Sequence, residues 1–211
     1  MTRIKTIALT LAILFGLALH HGAAQARDIQ TAIFAGGCFW CVESDFDHVD
    51  GVIETVSGYA GGTMKNPTYE KHDGYIEAVR VKFDADRVSY RQLVDHFWRT
   101  IDVTDAGGQF CDRGHSYIST VFVSPGQRED AVASKAAAEA ALGRGIVTPI
   151  VAATTFTRAE DYHQNYYQGT NRVLTRFGWI KQADAYKRYR AGCGRDDRVR
   201  AVWGAEAYKG M

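Results

Sequence analysis

The sequence predicts an α+β fold with two helices on one face of a sheet, and three stretches carry that expectation. Thr31-Ala32-Ile33-Phe34-Ala35 is a short apolar run of the kind that forms a buried strand. Tyr75 to Phe83 alternates, with Tyr75, Glu77, Val79, Val81 and Phe83 on one face and Ile76, Ala78, Arg80 and Lys82 on the other, which is the period of a strand. Ser89 followed three residues later by Gln92 makes a capping box, and Leu93, Val94, Phe97, Trp98 and Ile101 fall at helical spacing behind it.

The remaining elements fit between these. Phe39 to about Asp47 has helical spacing through Phe46, and Val52 to Tyr59 is a β-branched run ended by glycines. Tyr117 to Val123 reads as the next strand. The order is then β-α-β-β-α-β, the ferredoxin-like two-layer arrangement. Further on, Ser124 and Pro125 open an added helix that runs through alanines to Leu142 and stops at Gly143, and Val147 to Thr155 reads as an added strand. A short helix through His163 and Tyr167 follows. Residues from about 158 to 211 then form an extension wrapped on the core, with Gly192-Cys193-Gly194 as a flexible segment.

At the other end, Arg3 and Lys5 precede an uninterrupted apolar stretch from Ile7 to Leu19, and Ala24-Gln25-Ala26 supplies the small-x-small pattern of a cleavage site. This is the pattern of a secretory signal over residues 1 to 26, so a location across the inner membrane, in the periplasm, is expected. The run is shorter than the ~20 residues a membrane anchor needs, which argues against lasting membrane association. Loss of Arg3 and Lys5 takes 25 basic residues to 23 against 24 acidic ones. That balance disfavours a nucleic-acid partner. Residues 27 to 211 lack a linker or repeat and read as one catalytic domain, and a monomer is expected.

The chemistry centres on Gly36-Gly37-Cys38-Phe39-Trp40-Cys41, where a strand hands over to a helix start. The dipole and free amides of a helix N-terminus favour negative charge, so a thiol at Cys38 should ionise more easily, and a thiolate is the nucleophile. Phe39 and Trp40 look like the wall of a small apolar pocket. Glu77 stands alone among apolar residues on its strand face; desolvation there raises a carboxyl's pKa and keeps it a proton donor near neutral pH.

Gly-Cys-Phe-Trp resembles the signature of the A-type peptide methionine sulfoxide reductases, which return methionine S-sulfoxide to methionine. The likeness continues through Gly58-Tyr59-Ala60-Gly61-Gly62 with Asn66-Pro67-Thr68-Tyr69, Gly74-Tyr75-Ile76-Glu77-Ala78-Val79, Asp112-Arg113-Gly114 with Ser116-Tyr117, and Ala159-Glu160-Asp161-Tyr162-His163-Gln164. It spans about Thr31 to Tyr167. The resemblance implies the same ferredoxin-like core and a Cys38 nucleophile. It also implies Glu77 as proton donor, Tyr69 and Tyr117 with Asp112 around the sulfoxide oxygen, and Phe39 and Trp40 around the S-methyl group. It implies a substrate that is free or protein-bound methionine sulfoxide, no bound cofactor or metal, a role in repair under oxidative stress, and a thioredoxin-like reductant.

A sulfenic acid formed on Cys38 condenses with a nearby thiol. The candidates are Cys41, Cys193 and Cys111. Cys41 lies one helical turn from Cys38 and is the expected first partner, with Cys193 then exchanging into the bond. Many relatives instead carry glycine at the position of Cys41 and asparagine at that of Cys111. Cys38-Phe-Trp-Cys41 is also a C-x-x-C at a helix start, so a thioredoxin-like thiol-disulfide oxidoreductase is the alternative. The proline expected with that motif is absent, and the element order differs. A structural tetrathiolate zinc site and a secreted module stapled by two disulfides are further readings of four cysteines.

Overall fold

A computed structural model describes residues 27–209; the signal pattern lies outside the described residues. Among the described residues, ten strands and five α-helices follow in the order β1 (Ile29–Gly36), α1 (Phe39–Asp47), β2 (Val52–Ala60), β3 (Ile76–Asp84), α2 (Tyr90–Trp98), β4 (Gly108–Gln109), β5 (Asp112–Arg113), β6 (Ser119–Val123), α3 (Arg128–Leu142), β7 (Ile150–Ala152), β8 (Phe156–Arg158), β9 (Arg172–Thr175), β10 (Gly178–Lys181), α4 (Gln182–Gly192) and α5 (Arg195–Trp203). The main sheet has the order β7-β6-β1-β3-β2-β8. Its middle four strands are antiparallel neighbours, the ferredoxin-like arrangement.

One face of this sheet meets α1 and α2. Phe34, Val79, Val81, Phe83 and Val121 from the strands pack with Phe46, Leu93, Phe97 and Trp98 in one buried cluster. The rings of Phe46 and Phe97 flank Phe34 at 4.8 and 5.0 Å. The capping box at Ser89 and Gln92 forms in both directions, which fixes where α2 begins. A smaller cluster of Ala35, Ala60, Ile76, Ala78 and Phe122 lies on the opposite face.

Several boundaries differ from the expectations. Tyr117 ends a 3-10 turn, His115–Tyr117, because Gly114 takes a φ of +102° and turns the chain; β6 starts only at Ser119. The strand expected over Val147 to Thr155 reduces to Ile150–Ala152, paired parallel to β6. Pro149 has no N–H to give, and its carbonyl instead accepts from Val121 N at 3.0 Å. The short helix through His163 and Tyr167 is two 3-10 turns separated by Asn165 at φ +52°. Ser124 caps a 3-10 turn at Pro125–Gln127, and α3 begins at Arg128.

The C-terminal extension enters the core itself. Val199 and Trp203 join the main cluster, and Arg195 is buried at 1% exposure. Arg195 donates to Gly36 O and Thr100 O at 3.0 Å each and pairs with Asp45 Oδ2 at 3.2 Å, while Arg190 holds Asp45 Oδ1 at 2.8 Å. A buried carboxylate with two guanidiniums fastens α4 and α5 beneath α1. Gly192-Cys193-Gly194 is therefore a corner between two helices, with Cys193 as C-cap and Gly194 left-handed at φ +66°.

Candidate active site

Gly37 makes the turn that presents Cys38. Its φ is +83°, and a Cβ there would stand 2.6 Å from the Cβ of Gln109, so glycine is required on both counts. Gln109, fully buried, is itself locked to Asp102 by bonds to its N–H and carbonyl at 2.9 and 2.8 Å. Cys38 is the N-cap of α1, and its carbonyl accepts from Cys41 N.

Glu77 reaches this helix start from β3. Its Oε2 accepts from Phe39 N at 3.0 Å, so the amide at the head of the helix holds the carboxyl rather than the thiol. Burial pushes the Glu77 pKa up to about 8, against the opposing pull of that amide. At neutral pH it is a protonated acid, as its position among apolar neighbours implied.

Cys38, Phe39, Trp40, Tyr69, Glu77, Asp112 and Tyr117 come together around one cavity of about 60 Å³, with Tyr189 as an additional wall. The Tyr69 and Tyr117 side chains line this cavity together. Tyr69 is fixed through its amide to Glu160 Oε1 at 2.9 Å. Trp40 stacks on Tyr166 with centroids 3.8 Å apart and donates through Nε1 to His163 Nδ1 at 3.2 Å. His163 is buried and held neutral, its pKa lowered by burial to about 4. It orients the indole and lines no part of the cavity.

The thiols behave differently from the helix-start expectation. Burial pushes the Cys38 thiol well up, and its hydrogen bond to Cys41 together with the charges of Cys41, Glu77 and Asp112 act in the same direction. Cys41 goes the other way: the hydrogen bond from Cys38 lowers it, and the Arg195 and Arg190 guanidiniums help against burial. Within the pair, Cys38 therefore holds its proton more tightly than Cys41 does. Cys111 and Cys193 stand outside, joined to each other by a disulfide. The Cys111 sulfur is 3.8 Å from Asp112 Oδ1.

Sequence reasoning missed Tyr189, which donates a hydrogen bond to Asp112 Oδ2 and closes the cavity. It also missed Gln109, Tyr166, and the pair Arg190 and Arg195 behind Cys41. None of these sits in a local pattern; each acts from a distant part of the chain.

The family model described as peptide methionine sulfoxide reductase matches residues 30–202. The chain belongs to that family. A peptide methionine sulfoxide reductase of Rhizobium meliloti is 52% identical over 191 residues, covering 89% of this chain and 90% of that protein. One from Bacillus subtilis is 43% identical over 84% of this chain and 97% of its own length. Among solved structures, reduced Mxr1 of Saccharomyces cerevisiae superposes with a TM-score of 0.63 at 26% identity, covering 68% of this chain and 86% of the other. Methionine sulfoxide reductase A of Corynebacterium diphtheriae gives 0.59 at 28% identity, covering 68% and 76%. This reductase is a peptide-methionine (S)-S-oxide reductase, an oxidoreductase that works through thiols.

Proposed function

We propose that Cys38 attacks the sulfoxide sulfur inside this cavity while Glu77 gives its proton to the departing oxygen. The observation that carries this reading is the neutral, buried Glu77 carboxyl lining the same 60 Å³ space as the Cys38 thiol. The space suits a methylsulfinyl group, with Phe39 and Trp40 against the methyl and the Tyr69 and Tyr117 hydroxyls toward the oxygen. Donors waiting where charge develops stabilise the transition state without having to reorganise. Cys41, its pKa lowered first by the Cys38 hydrogen bond and then by the Arg195 and Arg190 guanidiniums, takes the Cys38 proton as the new S–S(O) contact forms. Methionine leaves, and its oxygen stays on Cys38 as a sulfenic acid.

Cys41 then attacks that sulfenic sulfur, releasing water and forming the Cys38–Cys41 disulfide. In the reduced outer pair, one thiolate opens this bond and the other closes on it, which regenerates the inner thiols and leaves Cys111–Cys193 oxidised. Inner thiols with an outer disulfide is the state after this exchange. Electrons arrive from a thioredoxin-like protein. We further propose a monomer in the periplasm, acting on free and protein-bound methionine sulfoxide in repair under oxidative stress. The signal pattern over residues 1 to 26 supports export, and disulfides persist in oxidising compartments. Among the described residues no helix is long and apolar enough to cross a membrane.

One turnover of fully reduced protein with excess methionine sulfoxide, thiol blocking and peptide mapping tests the order of steps. Cys38–Cys41 should appear first and Cys111–Cys193 second. A Cys41→Ser variant that still forms a full yield of disulfide at an unchanged rate would assign the first step to Cys111 or Cys193.

A further inference from the structure

On the far side of Trp40 and Tyr189 from the cavity runs a groove of about 450 Å³, lined by Tyr166, Phe177 and the Cys111–Cys193 disulfide. Cys111 is the exposed residue of the two, and Cys193 is half-buried. The rim of the groove is the β9–β10 hairpin. Its register sets Leu174 opposite Trp179, and both point outward, 76% and 64% exposed. Val173 and Ile180, also opposite each other, are half-buried on the inner face. Phe177 at the turn is 44% exposed and clasped between the guanidiniums of Arg176 and Arg188, each 4.8 Å from the ring centroid.

A cross-strand Leu–Trp pair facing water, with a phenylalanine beside it, is an apolar patch of the kind that marks a contact surface. From Arg172 to Lys181 the hairpin carries three cations, Arg172, Arg176 and Lys181, and no acid. Chemistry selects the occupant. A disulfide is reopened by a thiolate, so whatever fills this groove productively brings a sulfur nucleophile. The cationic rim favours both the incoming and the leaving thiolate.

We propose that the hairpin face and this groove form the docking surface for the external reductant, a dithiol protein of thioredoxin type with an apolar, neutral-to-acidic contact face. The inference rests on the reading that Cys111–Cys193 is redox-active. The partner's thiolate attacks Cys111 Sγ, a mixed disulfide forms, and Cys193 leaves as a thiolate that takes up a proton. The partner's second thiolate attacks its own sulfur in the mixed bond, freeing Cys111. Two electrons have then passed from the partner's dithiol to the outer pair. Oxidised polypeptide, the competing occupant, must deliver its sulfoxide to the separate cavity lined by Cys38.

The test compares turnover driven by thioredoxin with turnover driven by dithiothreitol in the full chain. Leu174→Glu and Trp179→Glu should each raise the KM for thioredoxin at least about tenfold, the loss expected when an anchor of a small interface is removed. Dithiothreitol-driven rates should stay within about twofold, and far-UV circular dichroism should match the wild type. An unchanged thioredoxin KM in both variants overturns the docking surface. So does an equal rise in the KM for a methionine sulfoxide peptide under dithiothreitol, which would assign the patch to substrate. If instead a Cys111→Ser/Cys193→Ser protein keeps full thioredoxin-driven turnover, the outer-pair reading falls, independently of the hairpin result.

Discussion

The two sulfur pairs lie on either side of Trp40 and Tyr189, and their surroundings differ in almost every respect. Cys38 and Cys41 are 6% and 2% exposed, rooted in the first turn of a packed helix, beside a carboxyl kept neutral by burial. Cys111 and Cys193 sit on a surface loop and a helix corner, beside a cationic hairpin with exposed apolar side chains. The inner environment manages protons: desolvation sets which groups hold them. The outer environment admits a protein-sized thiol. A single pair could not do both, because the exposure that lets a reductant reach a disulfide would return Glu77 to its ordinary acidity.

The largest effect that would break this division of labour comes from Cys38→Ser. A hydroxyl cannot replace a thiol as nucleophile toward sulfur, so turnover should fall by at least about 10³-fold. Circular dichroism should be unchanged. Residual turnover near the wild-type rate with either reductant would move the nucleophile to another thiol.

Glu77→Gln should cut the first-turnover rate by about 10²-fold. Its pH profile is the sharper test. Wild-type Glu77 is protonated below its pKa of about 8, so the rate should fall as pH rises through that value, and the variant should lack this limb. Stability gives an independent reading. Because the folded pKa is raised above the ordinary 4.5, the stability contribution of the neutral form is complete below 4.5 and is lost as pH rises through about 8. Urea unfolding at pH 5 and pH 8 should show the wild type losing a few kcal/mol relative to the variant across that window. Parallel curves would mean that Glu77 is not buried as a neutral acid.

Much of this was legible in the chain because it is local. The spacing of Leu93, Val94, Phe97 and Trp98 behind a capping box marked α2, and the isolation of Glu77 on an apolar strand face marked a perturbed acid. What escaped depends on chain segments that meet only after folding. Nothing near Tyr189 says that it will reach Asp112, 77 residues earlier. The Cys38 thiol was expected to be acidic from its helix start, but the first free amide is taken by Glu77, which lies in a different element. Gly192 and Gly194 suggested flexibility around Cys193, yet Gly194 supplies a left-handed corner between helices that Arg190 and Arg195 fasten from either side.

The smallest effect concerns the wall the two pairs share. Tyr189 donates its hydroxyl to Asp112, lines the inner cavity, and forms part of the outer groove. Burial raises the Asp112 pKa, and the Tyr189 hydrogen bond and the Arg195 charge restrain that rise. Tyr189→Phe keeps the ring, so both cavities keep their shape, but it removes a donor from a half-buried carboxylate. The cost of such a loss is about 1 kcal/mol, roughly fivefold. It should fall on the sulfoxide step, through a shift of the Asp112 ionisation toward higher pH. Reduction of the outer disulfide by thioredoxin, followed in the absence of sulfoxide, should stay unchanged. If that reduction slows instead while the sulfoxide step is normal, Tyr189 belongs to the outer pair's contact surface, and the boundary between the two environments lies on the cavity side of its ring.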